Sequence, residues 1–209
     1  MKRTREEALA TRELLLDRAE VVFFEKGVTE TTLSDIADAA GVTRGAIYYH
    51  FKNKADLFMA MVSRVQSPLQ SVVEEGTDPQ ATDPLGSLQA ALATCLRELS
   101  TNPRSRHVFN VLFTKCEYSG QMHALEQRLM DMALESRQRL ARGLRSAVDK
   151  GQLPADLDTE RGAVLLHATI SGVFRDWLMN ERCITLPQEA GRIAEASLDM
   201  LRFSPALRR

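Results

Sequence analysis

Gly41, set between two short runs of helical periodicity, restricts what this 209-residue chain can fold into more than any other residue. Before it, Leu33, Ile36, Ala37 and Ala40 recur at the i, i+3, i+4, i+7 spacing of one helical face. Thr32 stands where an N-cap hydroxyl belongs, with Asp35 three residues on as a capping-box partner. Gly41 supplies the positive φ that ends such a helix abruptly, and Val42 fills the angle that follows. Thr43 then recaps the chain, and Ile47 and Phe51, four residues apart, give a second helix its buried edge. Two short helices joined by a glycine-containing turn form a helix-turn-helix over Thr31 to Asp56.

The face opposite Ile47 and Phe51 carries Arg44, Gly45, Tyr48, Tyr49 and His50, followed by Lys52 and Lys54. An ordinary amphipathic helix has no need of an arginine and two adjacent tyrosines on its wet side. A helix in a major groove does: arginine reads guanine edges, and tyrosine bonds phosphates or packs on thymine methyls. Gly45 lets the backbone approach nucleic acid closely. Ser34, Thr43 and Ala46 complete the candidate DNA-contacting set.

The stretch GVTRGAIYYHFKNKADL resembles the DNA-binding signature of tetracycline-repressor-like (TetR-family) transcriptional regulators, a likeness that spans Thr4 to about Met61. TRELLLDRAEVVFFEKGV is similar to that family's first helix. FTKCEYSGQM, GQLP, ISGVFRDWL and LDMLRFSPALR resemble AcrR-type repressors of multidrug efflux pumps. One departure is visible: Tyr49 stands where many relatives have tryptophan, a conservative change.

Bulk charge gives this reading no help. The net charge is −1, and the first sixty residues hold nine basic against ten acidic residues. A basic footprint must come from segregation, with Lys2, Arg3 and Arg5 at the start and Arg44, His50, Lys52 and Lys54 around the second helix. Modest affinity and reliance on dimerisation are expected. The N-terminus has no apolar core of a signal peptide, and no apolar run reaches the ~18 residues of a membrane span. Cys95, Cys116 and Cys183 lack CxxC or CxxH spacing and read as reduced cytosolic residues.

Along the chain, Thr4 and Glu7 form a capping box for a first helix lined by Leu15, Leu16, Ala19, Val22 and Phe23 up to Gly27. Asn53 caps a fourth helix that carries Leu57, Phe58, Met61, Val62 and Val65. Its apolar pattern continues beyond Pro68 through Leu69, Val72 and Val73, so that proline kinks rather than ends it. The segment from Gly76 to Asp83 is loop-like. Helices are expected from Pro84 to about Thr101, from Pro103, and from about Gln121 to Lys150 after a break at Tyr118, Ser119 and Gly120. Two more run from Asp158 to about Asn180 and from Pro187 to about Phe203. No β pattern and no repeat appears.

Catalysis is hard to build from these residues: there is no phosphate loop, GxSxG or HExxH. His107, His123 and His167 are scattered, and His107 and His123 read as surface residues. Glu126 with Arg128 and Glu135 with Arg139 read as solvated helix faces. No catalytic residue, metal ligand or cofactor is assigned. The AcrR resemblance implies a pocket for drug-like ligands at Cys95, Phe109, Phe113, Ser136, Leu140, Leu166, His167, Ser171 and Arg175, mostly apolar with a few polar handles. His167, which interrupts the run AVLLHATISG, is either a satisfied core residue or a ligand contact. Arg175 is a polar anchor or half of a salt bridge. Small-residue stripes at Gly162, Leu165, Ala168, Thr169, Gly172, Val173 and at Ile193, Ala194, Ala196, Ser197, Met200, Leu201 match the helices that pack two family subunits as a four-helix bundle.

The expected fold is all-α: a three-helix helix-turn-helix DNA-binding domain over residues 1–54, then a helical ligand-binding and dimerisation domain over 55–209. The implied function is a cytoplasmic homodimeric repressor on palindromic double-stranded operator DNA, with no membrane partner, released by a hydrophobic small molecule and controlling a multidrug efflux operon. A regulator of metabolism that answers to a fatty acid or acyl-thioester is the alternative. From another class, a ligand-binding module or enzyme could reuse the fold.

Overall fold

The computed structural model describes residues 5–116 and 123–209, with side chains from 125 onward in the later stretch. The expected cap at Thr4, the charges of Lys2 and Arg3, the break at Tyr118–Gly120, the helix start at Gln121 and the side chain of His123 lie outside the described residues. Nine α-helices and no strand occur among the described residues. They are α1 (Arg5–Lys26), α2 (Leu33–Ala39), α3 (Arg44–His50), α4 (Lys54–Gly76), α5 (Pro84–Thr101), α6 (Pro103–Thr114), α7 (His123–Asp149), α8 (Thr159–Met179) and α9 (Leu186–Phe203). They form two compact units. The first joins Met1–Gln66 with Arg104–Arg128, the second Ser67–Pro103 with Leu129–Arg209. Both are therefore discontinuous in sequence.

In the first unit local chemistry sets each boundary. Thr32 accepts from the Asp35 amide at 3.1 Å, and the Asp35 carboxylate accepts from the Thr32 amide at 2.8 Å, a complete capping box. α2 stops in a Schellman turn: Gly41 has φ +65°, its amide donates to Asp38 O, and Val42 N donates to Ala37 O, both at 3.0 Å. Thr43 then caps α3 through the Ala46 amide. Leu15, Leu16, Phe23, Ile36, Ile47, Phe51, Leu57, Phe58 and Met61 are fully or almost fully buried, and Phe23 meets Phe58 edge-on at 5.6 Å between ring centres. α1 is thus the support on which α2 and α3 lie.

In the second unit α5, α8 and α9 pack together around Leu88, Leu92, Leu140, Leu144, Leu166, Ala194, Leu198 and Leu201. Asp83 caps α5 ahead of Pro84, and Asp158 caps α8. The C-terminus is tied back where Asp158 N donates to Leu207 O at 2.8 Å. α4 is continuous through Pro68, as its apolar pattern requires.

Two expectations need correction. The small-residue stripes put Gly162, Ala194, Ser197 and Leu201 at a surface between subunits, yet all four are buried within the chain. A Cβ at Gly162 would come within 3.3 Å of both Leu144 and Leu201, so this glycine permits close packing of α7, α8 and α9. Glu135 and Arg139 are not a purely solvated pair: Arg139 is 15% exposed and also reaches Glu74 of α4 at 3.1 Å.

Candidate nucleic-acid interface

α3 is a seven-residue helix with one face sealed and the other open. Ile47 and the following Phe51 are buried, whereas Arg44, Gly45, Tyr48 and Tyr49 are exposed, Tyr49 to 78%. The exposed Arg44 places its guanidinium over the Tyr48 ring at 5.5 Å, one helical turn away. Tyr49 and the half-buried His50 contact edge-on at 4.9 Å. Nothing in the fold requires glycine at position 45: it is helical, exposed, and a Cβ there would find only the Thr43 hydroxyl, at 3.9 Å.

An open cleft of about 340 Å³ adjoins this face, lined by Thr31, Thr32, Leu33, Tyr48, Lys52, Asn53 and Lys54. Thr31, Thr32 and Asn53 are absent from the set that the sequence suggests for DNA contact. The Thr31 hydroxyl donates to Gly27 O at 2.6 Å and both donors of Thr32 go to the Asp35 carboxylate, so neither threonine has a donor left for the cleft. Of the suggested set, Ser34 and Ala46 are half-buried, and the Thr43 hydroxyl oxygen accepts the cap hydrogen bond from Ala46 N. Lys52 is exposed.

Lys54 has a different surrounding from the one its sequence suggests. Its ammonium donates to the carbonyls of Val28 at 2.6 Å, Thr29 at 2.9 Å and Thr31 at 2.8 Å, which uses all three donors on the α1–α2 loop. Partial burial lowers its pKa. The lysine pins the loop that enters α2.

The nine residues expected to line a ligand pocket fall into two groups. Phe109 and Phe113 belong to the first unit and stack with ring centres 5.9 Å apart. The other seven belong to the second. There Leu140 and Leu166 fill the core, and Cys95 is buried with its thiol 3.9 Å from Leu69 O and its pKa pushed up to about 11 by burial. Ser136, His167 and Ser171 are half-buried and Arg175 is exposed. Burial, with Arg137 nearby, lowers the pKa of His167. On α8, Val164, Leu165 and Ala168 form an exposed apolar stripe.

No group of three or more His, Cys, Asp or Glu is placed to hold a metal among the described residues, and no described helix is long and apolar enough to cross a membrane.

Residues 15–61 match the family model of bacterial regulatory proteins of the tetR family, and residues 83–203 match that of the C-terminal region of MAATS-type transcriptional repressors. The chain is 38% identical to the HTH-type transcriptional regulator TtgR of Pseudomonas putida, over the whole of both proteins. It is 37% identical to the regulator AcrR of Shigella flexneri, over 99% of this chain and 96% of that one. Among solved structures, NalD, the secondary repressor of the MexAB-OprM multidrug efflux pump in Pseudomonas aeruginosa, matches with a TM-score of 0.84 and 31% identity. That match covers 96% of this chain and all of NalD. A complex of SmeT with triclosan matches with a TM-score of 0.83 and 34% identity, over 91% and 90% of the two chains. A capped helix-turn-helix with an open arginine–tyrosine face and these full-length likenesses lead to one conclusion: the chain belongs to the TetR family of transcriptional regulators.

Proposed function

We propose that this protein is a cytoplasmic, homodimeric repressor of a multidrug efflux operon, without enzymatic activity, released from palindromic operator DNA by a hydrophobic aromatic molecule. Residues 1–54 carry DNA contact; residues 55–209 carry effector binding and dimerisation. The observation that carries the reading is the outward face of α3. Arg44, stacked on Tyr48, supplies base readout, Gly45 gives close approach, and Tyr49 and His50 flank them. The exposed Lys52 and Asn53, beside the adjoining cleft, take a phosphate. The efflux assignment is supported by the likeness to NalD and SmeT, both repressors of multidrug efflux pumps.

Dimerisation uses the exposed stripe Val164, Leu165 and Ala168 of α8 with the exposed Ala196 of α9. The two α3 helices of such a dimer address half-sites about 34–36 Å apart, or a multiple, so a modest change in their separation weakens both contacts together. In the second unit the effector engages the half-buried Ser136, His167 and Ser171 on α7 and α8. To shift the population from 99:1 bound to 1:99, its affinity for the two states must differ by about 5.5 kcal/mol. A gel-shift with the DNA upstream of the protein's own gene, with and without triclosan, ethidium or a flavonoid, tests this. A specific shift reversed by compound is expected; no specific shift would overturn it.

A further inference from the structure

α1 carries Glu13, Asp17 and Glu20 on one face, and two arginines distant in sequence converge on them. Arg64 of α4 places Nη1 2.9 Å from both Glu13 and Asp17, and its Nη2 pairs with Glu20. Arg104 of α6 places Nη2 2.8 Å from Asp17 and Nε 3.4 Å from Glu20. Glu20 is 7% exposed, the one buried charged residue among the described residues. A buried carboxylate persists as an ion only when its partners stay in place.

The position of these arginines along the chain gives the cluster its meaning. The chain leaves the first unit after Gln66 and re-enters it at Arg104. Arg64 stands two residues before the exit, and Arg104 is the entry itself. Both crossings are thus fastened to the same two carboxylates of α1, the helix on which α2 and α3 rest. Just beyond the exit, Pro68 cannot donate to the Arg64 carbonyl, so α4 lacks one backbone hydrogen bond there. α6 is also not electrostatically self-sufficient. Its first turn holds Arg104 and Arg106 and no acidic residue, and cations at a helix N-terminus oppose its dipole. The carboxylates of α1 offset that conflict, so the first turn of α6 is placed by α1.

We propose that Glu20 and Asp17, bridging Arg64 and Arg104, are the positioning residues that couple effector occupancy to the DNA-reading helices, with Arg104 the separable arm of the clamp. This rests on the repressor reading above. Arg104 is removable because Arg64 still neutralises Glu20 without it, whereas loss of Arg64 leaves Glu20 with Arg104 alone, at 3.4 Å.

The test compares the parent with Arg104→Met, which keeps an apolar stem, and with Arg104→Lys, which keeps the charge. Operator affinity is measured by fluorescence anisotropy without and with saturating triclosan or ethidium, compound affinity by calorimetry, and amide exchange across α6. Arg104→Met should bind operator and compound within about threefold of the parent, yet lose about tenfold of the compound's effect on operator affinity; Arg104→Lys should restore most of it. Amides in the first turn of α6 should exchange faster in Arg104→Met, with those of α2 and α3 unchanged. Release of Arg104→Met as complete as that of the parent would overturn the proposal, as would unchanged exchange in α6. A parent that no compound releases would overturn the effector reading instead, and the exchange comparison would still decide whether Arg104 positions α6.

Discussion

Leu165 and Leu201 are alike in sequence, two apolar positions on the last two helices, and the fold separates them. Leu165 keeps 38% of its surface exposed; Leu201 keeps none and sits in the core beside Gly162. Burying a leucine side chain is worth about 1.5–3 kcal/mol, so covering the exposed 38% in a dimer contributes roughly 0.6–1.1 kcal/mol per subunit. Leu165→Ala should therefore weaken dimerisation by about 1–2 kcal/mol over two subunits. Leu165→Glu buries an unpaired carboxylate in each subunit, at several kcal/mol, which separation relieves. The isolated fold should change by less than about 0.5 kcal/mol, as for other exposed positions. Leu201→Ala, by contrast, should cost about 2–5 kcal/mol of fold stability. Sedimentation velocity and thermal unfolding of each variant separate the two effects. An intact Leu165→Glu dimer at micromolar concentration would refute the placement of the subunit contact on this stripe.

Arg44→Ala should cost about 1–3 kcal/mol against the best operator and relax specificity at one position, read by anisotropy against a panel of single-base variants. Lys52→Ala should weaken all DNA alike and lower the salt slope by about 1. Lys54→Gln should leave that slope intact, yet lose about 1–3 kcal/mol of stability as three loop carbonyls lose their donor. Asp35 has its pKa lowered to about 2 by its hydrogen bonds with Thr32 and then Lys26, so its contribution is complete above the unfolded value of 3.8. It is lost as pH falls from there through about 2. Asp35→Asn should flatten the melting temperature between about pH 4 and pH 2; an unchanged acid limb would place the charge effect elsewhere.

What can be read in the sequence is what local chemistry decides. The Thr32–Asp35 box, the Gly41 stop and the Thr43 cap each involve residues within five positions of one another, so spacing alone predicts them. The apolar faces of α1 and α4 are legible for the same reason, since helical period needs no partner. Lys54 is deceptive because its acceptors lie 23 to 26 residues earlier, and a lysine beside a recognition helix gives no hint that carbonyls enclose it. Glu20 gives no signal because its arginines stand 44 and 84 residues away. Leu201 points to the wrong surface because a small-residue stripe marks close helix approach without saying whether the other helix belongs to the same chain.

Anisotropy of labelled operator DNA, titrated with protein at fixed salt in the absence and presence of triclosan, tests the repressor account most directly. Tight, sequence-dependent binding by a dimer is expected, weakened by about 1–3 kcal/mol in Arg44→Ala and reversed by the compound over the concentration range in which it binds the protein. Binding that ignores sequence and is untouched by Arg44→Ala would contradict the placement of α3 in the groove and the function proposed from it.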